Sequence, residues 1–189
     1  MITWSSWHQA QSIHPKSFTC GFCGDKVGSS HGYYYSPSPV ISIYICTSCG
    51  CPTFFNDEQY PGPLIGRNIE KLPRDVAEVY DEIRDSIKQS NNTAALLLGR
   101  KLIMHLAVNV AKAKEGESFV DYINHLKEAG YIPPNGQQWI EYIKELGNEK
   151  NHELKLGTKE EAEKILKFIE VLLIFIYEFA SSEGAEKKS

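Results

Sequence analysis

Cys20-Gly21-Phe22-Cys23-Gly24 and Cys46-Thr47-Ser48-Cys49-Gly50 are two copies of one pattern, CxxCG, with 22 residues between the inner cysteines. Each copy presents two sulfurs to a single point. The glycine frees the backbone to fold its N–H groups back toward them. Two such knuckles closing on one ion form the tetrahedral sulfur cage that Zn²⁺ takes in structural sites. All four positions are then protein sulfurs, so no place is left for water or substrate. The competing reading, two disulfides or buried free thiols, fits the spacing less well. Cys20, Cys23, Cys46 and Cys49 are therefore the expected ligands of a structural Zn²⁺. Cys51 is the odd thiol, expected to serve as a small apolar residue rather than as a ligand. His8, His14 and His31 are spare metal-binding groups that two complete knuckles do not need.

The 189 residues, 42% of them hydrophobic and 23% charged, describe a globular protein with an adequate core. A net charge of −4 argues against a dominant phosphate-binding surface. Four cysteines in metal spacing suit a reducing compartment, and the chain is expected to be cytoplasmic. The N-terminal residues lack the charged and apolar regions of a signal peptide. The longest apolar run, Val171 to Tyr177, is far shorter than the roughly 20 residues that cross a bilayer, so no membrane association is expected.

Outward from the knuckles the chain divides by pattern. From Val40 to Cys46 side chains alternate, Ile41, Ile43 and Ile45 on one side and Ser42 and Tyr44 on the other. That period of two marks a strand leading into the second knuckle. Gly32 to Tyr35 is its expected hairpin partner, with Ser36-Pro37-Ser38-Pro39 as the connection. Residues 1–60 thus read as a small antiparallel zinc ribbon, and Pro61-Gly62-Pro63 as a hinge or linker.

From Pro73 the period becomes helical. Val76, Tyr80, Ile83 and Ile87 form one amphipathic stripe. A second helix is predicted over 93–114, with Leu96, Leu97, Ile103, Leu106 and Val110 in the core. Ser118 opens a third, which Gly130 ends, and a fourth carries Trp139, Ile140, Ile143 and Leu146. Thr158-Lys159-Glu160-Glu161 is a capping box that starts a long last helix. Between Ile169 and Phe179 this helix is apolar on nearly every side, which predicts a central position or a dimer interface. The fold class is α+β: a zinc ribbon, then an antiparallel bundle of about five helices over 64–181, then a disordered tail over 182–189.

Four stretches of the helical part, taken together, resemble the family catalogued as domain of unknown function 4145. They are Lys71 to Tyr80, Ala94 to Arg100, Leu126 to Pro133 and Ile143 to His152, whose Gly-Asn-x-x-x-His step precedes the last capped helix. The resemblance spans roughly residues 64 to 180. An N-terminal pair of zinc knuckles is a frequent companion of this domain. The family is similar in turn to the HEPN bundles, many of them metal-independent ribonucleases with an arginine separated by four to six residues from a histidine, near the dimer interface. In such sites the histidine moves protons and the arginine stabilises charge on the phosphate. His152 matches the histidine and Asn148 the polar residue four before it, but Gly147 stands at the arginine position. Arg100, on another helix, or Lys144 would have to supply the cation.

Each of these residues also has a structural reading. His152 could cap a helix or bond Asn148 across one turn, and Arg100 could pair with a carboxylate. Trp4, Trp7, Tyr33, Tyr34 and Tyr35 could stack bases as single-strand binders do, or could pack the sheet, which is the commoner outcome. Three functions follow as expectations. The first is a non-catalytic binding or interaction module of a prokaryotic or phage defence or nucleic-acid-related system, homodimeric through its bundle helices, with an RNA or protein partner. The second is a ribonuclease using His152, and the third is single-stranded nucleic-acid binding by the ribbon. The first agrees best with the closed site, the missing arginine and the acidic balance.

Overall fold

The protein is α+β: among the described residues a five-stranded antiparallel sheet is followed by five α-helices. A computed structural model describes residues 6–132, 137–146 and 156–179. The chain forms two compact units. One runs to Ile65 and includes Ile87–Ser90; the other comprises Gly66–Ser86 and the chain from Asn91 onward.

In the first unit β1 (Gln11–Thr19), β2 (Lys26–Tyr35), β3 (Ser38–Ile45), β4 (Pro52–Asn56) and β5 (Glu58–Tyr60) lie in sequence order, each antiparallel to the next. The β2–β3 hairpin is tighter than the sequence suggested. Tyr35 already pairs with Ser38, so Ser36-Pro37 alone makes the turn, and the register shifts between Tyr34 and Tyr35. At Gly32 a Cβ would collide with the Ile43 carbonyl of β3, so only glycine lets these strands approach.

The alternation in β3 is present, but its better-buried face carries Ser42 and Tyr44. Tyr44 joins Phe18, Val27 and Phe55 in a small core that also takes in Cys20 and Cys46. The Phe18 and Tyr44 rings meet Phe55 at 5.3 and 5.5 Å, edge to face or nearly so, an arrangement aromatic pairs favour. Ile41 and Ile43, the obvious core candidates, are only half-buried because they line the opposite face. The Pro61-Gly62-Pro63 segment is also half-buried: the Gly62 N–H donates to the Lys88 carbonyl at 2.8 Å, and Gly21 packs against Pro61 and Gly62.

The second unit holds α1 (Arg74–Lys88, whose last two residues fall in the first unit), α2 (Asn92–Asn109), α3 (Phe119–Glu128), α4 (Gln137–Leu146) and α5 (Lys159–Leu173). The α1 stripe is as its period requires, with Val76, Tyr80, Ile83 and Ile87 all buried. Ser118 caps α3 by accepting from the Asp121 N–H, and Gly130 closes it with φ of 81°. Thr158 and Glu161 form both hydrogen bonds of a capping box at α5. Beyond Leu173 the helix widens into a π-helical stretch over Ile174–Phe179.

α2 departs most from expectation. It ends at Asn109, and its buried residues are Ala95, Gly99, Leu102, Ile103, Leu106 and Ala107. Leu97 is exposed: apolar residues stand on several sides of α2, so its sequence gives no clear period from which to choose a face. The face is set by α5. Gly99 lies where a Cβ would stand 3.0 Å from Ile165 Cδ1 and 3.2 Å from Ile169 Cδ1, so two helices meet closely at that point. α5 itself is central, with Ile165, Leu166, Phe168, Ile169, Leu172 and Leu173 buried against α2 and α4.

A polar set lies inside this apolar unit. The Tyr80 hydroxyl donates to the Arg67 carbonyl at 3.0 Å, and Arg84 donates to Asp81 Oδ1 at 3.0 Å and to the Gly66 carbonyl at 3.3 Å. Burial, reinforced by the nearby Glu170 carboxylate, pushes the Tyr80 hydroxyl up to about 12. Glu170 is buried and faces Lys167 Nζ at 3.5 Å. Among the described residues no helix is long and apolar enough to cross a membrane. The tail over 182–189 lies outside the described residues.

Candidate metal centre

The two knuckles fold alike. In the first, the Gly24 N–H donates to the Cys20 carbonyl and the Cys20 N–H to the Asp25 carbonyl, both at 2.9 Å. In the second, Gly50 donates to Cys46 and Cys46 to Cys51, again at 2.9 Å. Gly24 and Gly50 take φ of 77° and 74°, the left-handed conformation for which glycine is the least strained residue. Backbone N–H groups then turn on the sulfurs: Phe22 donates to Cys20 Sγ at 3.4 Å and Cys49 to Cys46 Sγ at 3.5 Å. These bonds favour thiolate over thiol.

The sheet brings the knuckles together, because β1 and β3 end at the same end of the small core. Cys20, Cys23, Cys46 and Cys49 place their sulfurs within 4.8 Å of one another, and they form no disulfide. Between knuckles, Cys20 Sγ stands 3.7 Å from Cys49 Sγ and Cys23 Sγ 3.8 Å from Cys46 Sγ. Thiolates about 2.3 Å from a central ion in a tetrahedron would be about 3.8 Å apart, so the donor set fits a metal ion of zinc's size and softness. Disulfide sulfurs would instead lie about 2.0 Å apart.

Burial and the turned-in N–H groups act against each other on the proton affinities of the four sulfurs. Burial pushes the Cys20, Cys23 and Cys49 thiols up, Cys49 to about 12. Burial acts on Cys46 too, but the Cys49 and Ser48 N–H groups and the neighbouring thiols outweigh it and bring that group down. Four thiolates this close are stable only around a positive charge.

Cys51 is not one of the four. Its carbonyl accepts the Cys46 N–H, the place that Asp25 fills in the first knuckle. Nor do His8, His14 or His31 belong to the cluster. Two contacts that motif spacing did not single out brace the knuckles: the Ser48 hydroxyl donates to the Asp25 carboxylate and joins one knuckle to the other, and Trp7 Nε1 donates to the Gly50 carbonyl at 2.9 Å and ties the N-terminal segment to the second. Superposing the two CxxCG copies would have found Asp25 as the counterpart of Cys51. Trp7 carries no such signal.

The remaining site expectations lie in the helical unit. His152, Asn148 and Gly147 fall outside the described residues, as does Trp4 in the first unit. Arg100 is half-buried, its guanidinium carbon 5.0 Å from the centre of the Phe119 ring on α3. Lys144 faces Glu141 Oε1 at 3.6 Å. Of the sheet aromatics, Tyr33 donates its hydroxyl to the His8 carbonyl, while Tyr34 and Tyr35 are exposed at the hairpin end.

Fold and site together define an α+β protein whose antiparallel sheet carries a four-cysteine centre able to hold a metal ion. The chain belongs to the family described as domain of unknown function (DUF4145), whose model matches residues 81–188. Neither the curated proteins nor the solved structures contain a match to it.

Proposed function

We propose that this chain is a zinc-stabilised, HEPN-like helical module that binds a partner and does no chemistry of its own. The observation that carries the reading is the closed donor set. Four cysteine sulfurs within 4.8 Å of one another would fill every position of a tetrahedral Zn²⁺, so the ion supports the fold and activates no water. The residues that would hold it are Cys20, Cys23, Cys46 and Cys49, in a reducing, cytoplasmic setting that keeps thiols free.

The two cations a ribonuclease would draw on each have a partner among the described residues. Arg100 lies over Phe119 and Lys144 faces Glu141, which supports binding over cleavage. The charge of the sheet unit supports a non-stacking role as well. Lys16, Lys26 and Lys88 stand against Asp25, Asp57 and Glu58, with none of the basic excess that single-strand binding draws on. The module works as a homodimer through its bundle helices, within a prokaryotic or phage defence or nucleic-acid-related system.

The test is incubation of wild type and His152→Ala with mixed structured and single-stranded RNA. No cleavage by either protein, both folded and zinc-loaded, is the expected result. Metal-independent cleavage by wild type that His152→Ala lacks would overturn the reading in favour of a ribonuclease.

A further inference from the structure

Between α1 and α2, within the helical unit, lies a groove of about 130 Å³. Its floor is apolar, formed by the buried Val76 and Leu102 and the half-buried Val79. Its rim is polar and exposed: Asp75 on α1, and Lys101 and His105 on α2. A cavity of about 150 Å³ suffices to hold a benzene ring, so the floor accommodates one branched aliphatic side chain.

The rim has both signs of charge. Lys101 makes no ion pair or hydrogen bond among the described residues, so its ammonium is available to a ligand. The Asp75 carboxylate has His105 on one side. Asn109 Nδ2, a donor only, lies 3.2 Å from His105 Nδ1, which leaves the ring proton on Nε2, 3.8 Å from Asp75 Oδ2. That contact is longer than a hydrogen bond, and Asp75 keeps acceptor capacity for a second cation. One cation, one carboxylate and an apolar floor match the two charges and the side chain of an amino acid.

We propose that this groove binds a free apolar amino acid of the leucine type. Its side chain lies on Val76, Val79 and Leu102, its carboxylate meets Lys101 and its ammonium meets Asp75. The inference is independent of the zinc site and of whether the module cleaves RNA.

The experiment is a titration of the full, zinc-loaded chain with leucine, following backbone amide signals by NMR. Saturable shifts at Val76, Val79 and Leu102, with a dissociation constant of about 1 mM for so small a ligand, are expected. Leucinamide, which lacks the carboxylate, and 4-methylpentanoate, which lacks the ammonium, each bind about two- to five-fold more weakly, the worth of an exposed ion pair. Lys101→Gln weakens leucine by the same factor and leaves leucinamide unchanged. Asp75→Asn weakens leucine and leaves 4-methylpentanoate unchanged. Both substitutions are at exposed positions and preserve the fold. No saturable shift at these amides well above millimolar leucine would overturn the proposal. So would leucinamide and 4-methylpentanoate binding as tightly as leucine.

Discussion

Replacing Cys20 by serine tests the metal centre most directly. Serine's shorter C–O bond pulls the donor back from the common point, and its hydroxyl stays protonated at neutral pH. One of four sulfurs is thereby lost from a set whose cross-knuckle separations, 3.7 and 3.8 Å, match a tetrahedron. Structural Zn²⁺ binds with roughly 10–16 kcal/mol at neutral pH, so a quarter of that is about 3 kcal/mol, or more than about 100-fold in affinity. The unit has little with which to withstand the loss. Its apolar core is small, with Phe18, Val27, Tyr44 and Phe55 around Cys20 and Cys46 and with Ile45 also buried, and a core on that scale rarely supplies more than about 3–5 kcal/mol. Competition with a chromophoric chelator should show weakened zinc binding in Cys20→Ser, and amide spectra should show β1 to β5 unfolded while helical signals persist. Cys51→Ser is the control: outside the set of four, it should retain one zinc per chain and a folded sheet. Stoichiometric, tightly held zinc in Cys20→Ser, or equal loss in Cys51→Ser, would refute the four-cysteine assignment.

Two further outcomes follow from the same geometry. Because burial raises the Cys20, Cys23 and Cys49 thiols, these are protonated near pH 7, and metal uptake must displace their protons. Affinity therefore rises with pH through the neutral range and is lost on acidification. Calorimetry in buffers of different ionisation enthalpy should count about three to four protons released per zinc, and fewer than two would contradict the assignment. In the helical unit, Gly99→Ala gains about 1 kcal/mol of helix propensity but sets a Cβ 3.0–3.3 Å from Ile165 and Ile169, so the two effects offset within about 1 kcal/mol. Gly99→Leu has no room and should cost about 1–3 kcal/mol in urea denaturation followed by helical circular dichroism; an unchanged midpoint would show that α2 and α5 do not meet there.

Legibility followed the range of the interaction. The cysteine spacing, the α1 stripe and the Thr158 box were readable because each lies within a turn or a few turns of chain, where periodicity and capping chemistry act directly. β1, β4 and β5 were not identified. Gln11–Thr19 is mostly exposed and interrupted by Pro15, and β4 and β5 are five and three residues long, too short to display a period. In β3 the alternation was visible but its inner side was not, since apolar Ile41 and Ile43 suggest the face that the aromatic core does not occupy. In α2 the apolar residues surround the helix, and Leu97 was as good a core candidate as Leu102.

By itself the sequence determined that four sulfurs are presented in two matching knuckles and that a helical chain follows, because CxxCG geometry and helical period are local properties. Only the tertiary structure decided that the four sulfurs converge, that Cys51 stays out, which face of α2 is inside, and that Asp75, Lys101 and His105 surround one groove. Those outcomes depend on which strand or helix lies opposite, and the contacts responsible join residues far apart in the chain.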